Sequence, residues 1–154
     1  MKNKTNTIPT RFAQFTADEI AAAQINPYKI GDQVHVSGYS DVASYVVIKV
    51  TAKTVTIQRN KATLLNGFDS GEPDALTFTP GGFSGHTSGR QRYKIEADPN
   101  GSIERVNMKK WPRLVSLTCK DWTRDENGQI KAHSIKPNFG NMKPGECEYY
   151  DYNF

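Results

Sequence analysis

The feature of this chain that most constrains its fold is a pair of β-branched, apolar-rich runs set around a very short connection. Tyr45-Val46-Val47-Ile48-Lys49-Val50-Thr51 is followed, across Ala52-Lys53, by Thr54-Val55-Thr56-Ile57-Gln58-Arg59. Residues of these types lose side-chain freedom in a helix and pack well on a pleated surface. Two such segments so closely joined predict a β-hairpin. Just ahead, Asp32-Gln33-Val34-His35-Val36-Ser37 alternates polar and apolar after a glycine, the period of a half-buried strand.

One short helix is marked elsewhere. Thr16-Ala17-Asp18-Glu19 fits a capping box, in which Thr16 caps the amide three residues on and Glu19 reaches back. Helix formers run from Ile20 to Gln24, and Pro27 makes Asn26 a poor place to continue. Phe12 and Phe15 are placed to pack this helix onto a sheet, and residues 1–12 are expected as a flexible arm. Asp98-Pro99-Asn100-Gly101 and Asp125-Glu126-Asn127-Gly128 each set turn residues ahead of a glycine able to take positive φ. They predict hairpins joining 90–97 to 102–108 and 114–122 to 129–135. Lys143-Pro144-Gly145-Glu146 is a further turn, leading into an aromatic-rich closing strand at Cys147–Tyr152; left exposed, that segment would be a protein-docking surface. The expected class is mainly β: a curled antiparallel sheet or an SH3-like small barrel with added hairpins, plus one short N-terminal helix, in a single domain spanning 1–154. The order Gly-Asp-x-Val-x-Val, turn, long strand, tight turn, strand resembles the opening of SH3-like and KOW-type small barrels.

No stretch approaches the roughly 20 apolar residues of a membrane helix, and the opening MKNKTNTIPTRF lacks the apolar core of a secretion signal. Cys119 and Cys147 give no disulfide framework and are expected as reduced thiols. These readings place the chain in the cytoplasm with no membrane partner. The formal net charge is +4, with the positive excess concentrated in residues 88–136. That distribution suits an anionic partner such as nucleic acid or a ribonucleoprotein, while a charge of this size also serves solubility.

The glycine-rich stretch PGGFSGHTSGRQRY, Pro80 to Tyr93, has no lysine after a glycine and no helix behind it. A phosphate-cradling P-loop or dinucleotide loop is therefore excluded, and Gly81, Gly82, Gly85 and Gly89 serve tight turns or close backbone approach. A zinc site stays open. The ligand-capable residues are His35, His86, His133, Cys119 and Cys147, no two of them at the short spacing of a structural zinc site; Cys119, His133 and Cys147 fall on three successive strand-like segments that can meet with His86, while singly each reads as a half-buried thiol or hydrogen-bonded imidazole. No nucleophile elbow or metalloprotease motif is present, so no catalytic residue is assigned and no enzyme is expected. The strongest chemical signal is cationic. Arg90, Arg92, Tyr93 and Lys94 precede one turn, and Arg105, Lys109, Lys110, Trp111 and Arg113 follow it. The spacing of Arg90, Arg92 and Lys94 puts three cations on one strand face, suited to a phosphate backbone, with Trp111 or Tyr93 to stack on a base. Trp122 and Tyr45 are expected in the core instead.

Several blocks together resemble a known family: Gly38-Tyr39-Ser40-Asp41, TAKTVTIQR (Thr51–Arg59), KATLLNG (Lys61–Gly67), PGGFSGHTSG (Pro80–Gly89) and YDYNF (Tyr150–Phe154). The family is one of uncharacterised small proteins carried by phages, plasmids and other mobile elements of Gram-positive bacteria. The likeness covers most of residues 25–95 and residues 150–154. It implies a setting and no catalytic residue: such proteins often act against host defence, and inhibitors of type II CRISPR nucleases are one class. Three roles follow as expectations. The first is a binding protein that inhibits a host nuclease or ribonucleoprotein, an RNA-guided nuclease above all, through the 90–113 basic face and the glycine loop. The second is an accessory protein that binds DNA or RNA directly, and the third a small zinc protein in which His86 organises the loop. A basic chain fits contact with guide RNA, or with an acidic patch on the nuclease, better than mimicry of DNA.

Overall fold

A computed structural model of the chain describes residues 7–82, 85–115 and 134–153. In chain order its elements are a 3-10 turn at Thr10–Phe12, helix α1 (Ala17–Ala22), β1 (Gln33–Ser37), β2 (Val42–Val50), β3 (Thr54–Arg59), β4 (Lys61–Leu64), β5 (Thr77–Thr79), β6 (His86–Ser88), β7 (Tyr93–Glu96), β8 (Ile103–Asn107), β9 (Arg113–Val115), β10 (Ser134–Lys136) and β11 (Met142–Pro144). Where the sequence is read as one domain over 1–154, the chain groups into two compact units. The larger takes residues 28–107 with 139–154, and the smaller residues 1–27 with 108–138.

The larger unit is built on an antiparallel sheet in the order β11-β1-β2-β3-β8. The alternation in β1 to β3 sets its buried face. Val34 lies opposite Tyr45, Val47 opposite Ile57, and Val50 opposite Val55. Val34, Tyr45, Val47, Val55 and Ile57 are all buried, as expected for Tyr45. A register shift between Val47 and Lys49 is a bulge that adds twist to β2. β11 and β8 are the edges of the sheet and do not pair with each other. The sheet is therefore open among the described residues, and the small-barrel alternative gives way to the antiparallel-sheet one. β4 pairs with β7 and β5 with β6 as separate two-stranded ladders.

Two expected features of this unit differ. The Asp98–Gly101 turn does not close a hairpin between its flanks: β7 pairs with β4 and β8 with β3. The physical reason is that 54–64 offers two successive pairing edges, and each flank of the turn takes one. Gly101 is needed there for space, because a Cβ would sit 2.0 Å from the Arg59 carbonyl oxygen. The closing strand at Cys147–Tyr152 is reduced to one bridge, Val42 with Tyr149. The Asp125–Gly128 turn and Trp122 lie outside the described residues. On either side of the undescribed stretch, β9 and β10 pair antiparallel.

In the smaller unit the capping box forms as expected. The Glu19 amide donates to Thr16 Oγ1 at 3.1 Å and the Thr16 amide to Glu19 Oε2 at 2.7 Å. Phe12 is fully buried and stacks on Trp111. Within the arm expected over 1–12, residues Thr10–Phe12 form a 3-10 turn instead, because an aromatic ring with a packing partner orders the chain that carries it; residues 1–6 lie outside the described residues. No helix of the described residues is long and apolar enough to cross a membrane.

Candidate nucleic-acid interface

Four cations lie on segments that the smaller unit brings together. β9 and β10 place Lys136 directly opposite Arg113. The Lys109 amide donates to the Asn138 carbonyl at 2.7 Å, which brings the 109–110 segment to the end of β10. Just past α1, the Gln24 side-chain amide donates to the Lys110 carbonyl at 2.9 Å. Behind this run, Trp111 stacks on Phe12 with 5.8 Å between ring centroids, and Lys110 Nζ lies 5.4 Å from the centre of the Trp111 ring. Lys109, Lys110 and Lys136 are exposed and Arg113 is half-buried. None of the four has an ion pair among the described residues.

Like charges directly opposite on paired strands destabilise the pairing. Arg113 and Lys136 carry that cost with no carboxylate paired to either among the described residues, and a phosphate backbone would relieve it. Lys109, Lys110, Trp111 and Arg113 are legible in the sequence as a cationic, aromatic run. Lys136 is not, because only the register of β9 against β10 decides which residue faces Arg113. Trp111 is engaged by Phe12 on one side, so its ring serves first to hold the cationic run.

The remaining sequence candidates lie in the larger unit, and the three-cation strand face does not form there. β7 begins at Tyr93, which leaves Arg90 and Arg92 ahead of the strand. Arg92 is held by Asp74 at 3.1 Å and Glu72 at 3.4 Å, and Lys94 by Glu96 at 3.1 Å. The Arg92 hydrogen bond pulls the Asp74 carboxyl below the usual carboxylate range, and Asp74 in turn raises Arg92. Arg90 and Arg105 are exposed and have no acidic partner among the described residues. Tyr93 is half-buried and its hydroxyl donates to Gln91 Oε1 at 2.7 Å. Burial, with Tyr152 and Glu148 adding to it, pushes the Tyr93 phenol up to about 12.

The glycine-rich stretch joins β5 to β6 and runs on into β7, with no helix at its end. Gly85 has φ +73°, and a Cβ there would lie 2.3 Å from Phe78 Cζ, so both conformation and space demand glycine. What fixes the segment beyond β6 is Asn66, a fully buried residue that the sequence pattern does not single out. Its Nδ2 donates to the carbonyls of Asp74 and Arg90 at 2.8 Å each, and its Oδ1 accepts from the Arg92 amide at 2.9 Å. Arg90 lines two neighbouring clefts, of about 670 and 350 Å³, that share the 89–91 segment.

Of the metal candidates, His86 on β6 and Cys147 are both exposed, while Cys119 and His133 lie outside the described residues. No group of three or more His, Cys, Asp or Glu side chains gathers at ion-holding distance among the described residues. His35, the remaining histidine, has Nδ1 2.9 Å from the Gly145 carbonyl oxygen. Comparison of the chain with protein-family models, with curated proteins and with solved structures finds no match in any of the three.

Proposed function

We propose that the protein is a binding protein that engages a nucleoprotein through its cationic residues. On the family resemblance, that partner is a host-defence complex of the RNA-guided nuclease class, met in the cytoplasm of the bacterium that carries the mobile element. The observation that carries the reading is the placing of Lys109, Lys110, Arg113 and Lys136 on adjoining segments, with Arg113 and Lys136 opposite each other in register and no ion pair to any of the four among the described residues. A face built this way is complementary to phosphates. Binding that occludes the guide or the target channel needs no chemistry from the chain itself.

The test titrates the chain against a guide-loaded nuclease, the guide RNA alone and duplex DNA, with target cleavage read in parallel. Inhibition of cleavage with tight binding to the loaded complex is expected. The Arg113→Ala/Lys136→Ala variant should weaken that binding and reduce the salt slope by about 0.7–0.9 for each phosphate it no longer neutralises. Binding to naked nucleic acid with cleavage untouched would make the protein an accessory nucleic-acid binder instead. Absence of binding to all three at low salt would remove the reading.

A further inference from the structure

Within the larger unit the segment 147–153 is held by its main chain and by the side chains of Glu148 and Asn153. The Tyr149 amide donates to the Val42 carbonyl, and the Val42 amide to the Tyr149 carbonyl, both at 2.9 Å. The Gln91 side-chain amide grips Tyr150 at both ends: Oε1 accepts from the Tyr150 amide at 2.9 Å and Nε2 donates to the Tyr150 carbonyl. Asp41 Oδ1 accepts from the Asp151 amide at 2.8 Å. Asn153 makes the reciprocal grip on Thr87, accepting from its amide at 2.6 Å and donating to its carbonyl at 3.3 Å.

Anchored in this way, the segment does not have to bury its rings. Tyr150 and Tyr152 are 53% and 38% exposed, and Phe68 beside them is 40% exposed. The three rings form one cluster: Tyr150 meets Tyr152 edge to face at 4.8 Å, and Tyr152 meets Phe68 at 5.4 Å. No cation of the described chain lies over any of them. Asp41 and Asp151 belong to the same anchorage, Asp69 follows Phe68 in the chain, and none of the three has an ion pair among the described residues.

We propose that this cluster is a docking surface for an arginine- or lysine-bearing segment of a protein partner. A contiguous exposed aromatic patch marks an interaction site, and ring faces attract a guanidinium or ammonium. Arg90 lines the cleft that Gln91 shares with Tyr149, while the carboxylates set the sign at the segment of the rings themselves, through Asp41 and Asp151 in the anchorage and Asp69 next to Phe68 in the chain. These carboxylates complement a cation and repel a phosphate, so a basic protein segment fits where a nucleic-acid backbone does not. The proposal uses none of the residues of the cationic cluster and stands or falls separately from it.

The experiment titrates the full chain with a fluorescent peptide of alternating arginine and glycine at low salt, followed by anisotropy. A chain of net charge +4 offers such a peptide no overall attraction, so saturable binding reports a local site. Binding is expected to weaken about fivefold in Tyr150→Leu, which keeps apolar bulk without the ring, and to stay near wild type in Tyr150→Phe. Asp69→Asn, an exposed change with no packing consequence, should weaken it about twofold. The proposal is overturned if the peptide does not saturate, or if Tyr150→Leu and Asp69→Asn bind it as tightly as wild type. It is also overturned if Tyr150→Leu instead loses single-stranded DNA, which would make the patch a base-stacking platform, or loses self-association in sedimentation, which would make it a contact between copies.

Discussion

Replacing Asn66 tests whether one buried amide organises the 89–92 segment. Asn66 is wholly buried and joins three groups distant in sequence: the Asp74 carbonyl, the Arg90 carbonyl and the Arg92 amide. A hydrogen bond contributes about 0.5–1.5 kcal/mol net, and a buried polar group left without a partner costs about 1–3 kcal/mol. Asn66→Ala strands two acceptors and one donor at once. Partial opening to water relieves some of that, so the expected loss is about 3–5 kcal/mol, a large share of the 5–15 kcal/mol of an ordinary domain.

Asn66→Asp sharpens the test because it is isosteric. It keeps an acceptor for the Arg92 amide but sets a carboxylate oxygen against two carbonyl oxygens, with a charge in a dry site. Aspartate should therefore cost at least as much as alanine. Urea denaturation gives the stabilities, and amide hydrogen exchange at Arg92 reports the local bond, which should lose its protection in alanine first. An Asn66→Ala loss below about 1 kcal/mol would refute the reasoning. So would aspartate being tolerated better than alanine, since that would mean the side chain is not donating to the two carbonyls.

Two further expectations concern the core of the larger unit. Glu148 binds Arg59 at 2.6 Å and accepts from the Ser44 amide at 2.8 Å, with its side chain only 11% exposed. Glu148→Ala should therefore cost about 2–4 kcal/mol in urea denaturation, persisting at high salt, and a loss under about 0.5 kcal/mol would show the pair to be superficial. The Tyr45 phenol is pushed up to about 12 by burial and then by its bond to Glu104, and Tyr93 likewise by burial. In the unfolded chain both ionise near 10. Stability should thus be insensitive to these groups below about pH 10 and fall between about 10 and 12, by at most about 1.4 kcal/mol per pH unit for each tyrosine. The half-exposed Tyr93 should contribute less, and Tyr45→Phe should flatten the slope; an unchanged slope in that variant would contradict the assignment.

What the sequence makes legible here is local. The capping box at Thr16, the hairpin at Ala52-Lys53 and the strand at Gln33–Ser37 each depend on residues within a few positions of one another, and each forms, with Val34 the one buried side chain of that strand. Tyr45 in the core follows from the same alternation. What is not legible depends on partners far along the chain. The Asp98–Gly101 turn has the residues of a hairpin, yet its flanks pair with β3 and β4, two successive strands that each offer one of them an edge. Arg92 and Lys94 carry the right spacing for a cationic face, but spacing is blind to Asp74 and Glu96 waiting to neutralise them. Lys136 fails to stand out for the opposite reason, since its importance is created by register alone.

The same distance in sequence explains how the two candidate surfaces can be both fixed and free. Lys110 is fixed by its carbonyl to Gln24, Lys109 by its amide to Asn138, and Tyr150 by both backbone groups to Gln91. In each case the main chain carries the structural bond and the side chain is left facing solvent. A residue arranged like this can change its side chain with little effect on stability, because exposed positions away from such bonds shift it by only about 0.5 kcal/mol. The residues that supply the anchoring amides, Gln24, Asn66 and Gln91, have no such freedom. Stability and the proposed recognition thereby fall to different side chains, and the cations of one surface and the rings of the other can vary without breaking the bonds that hold either segment.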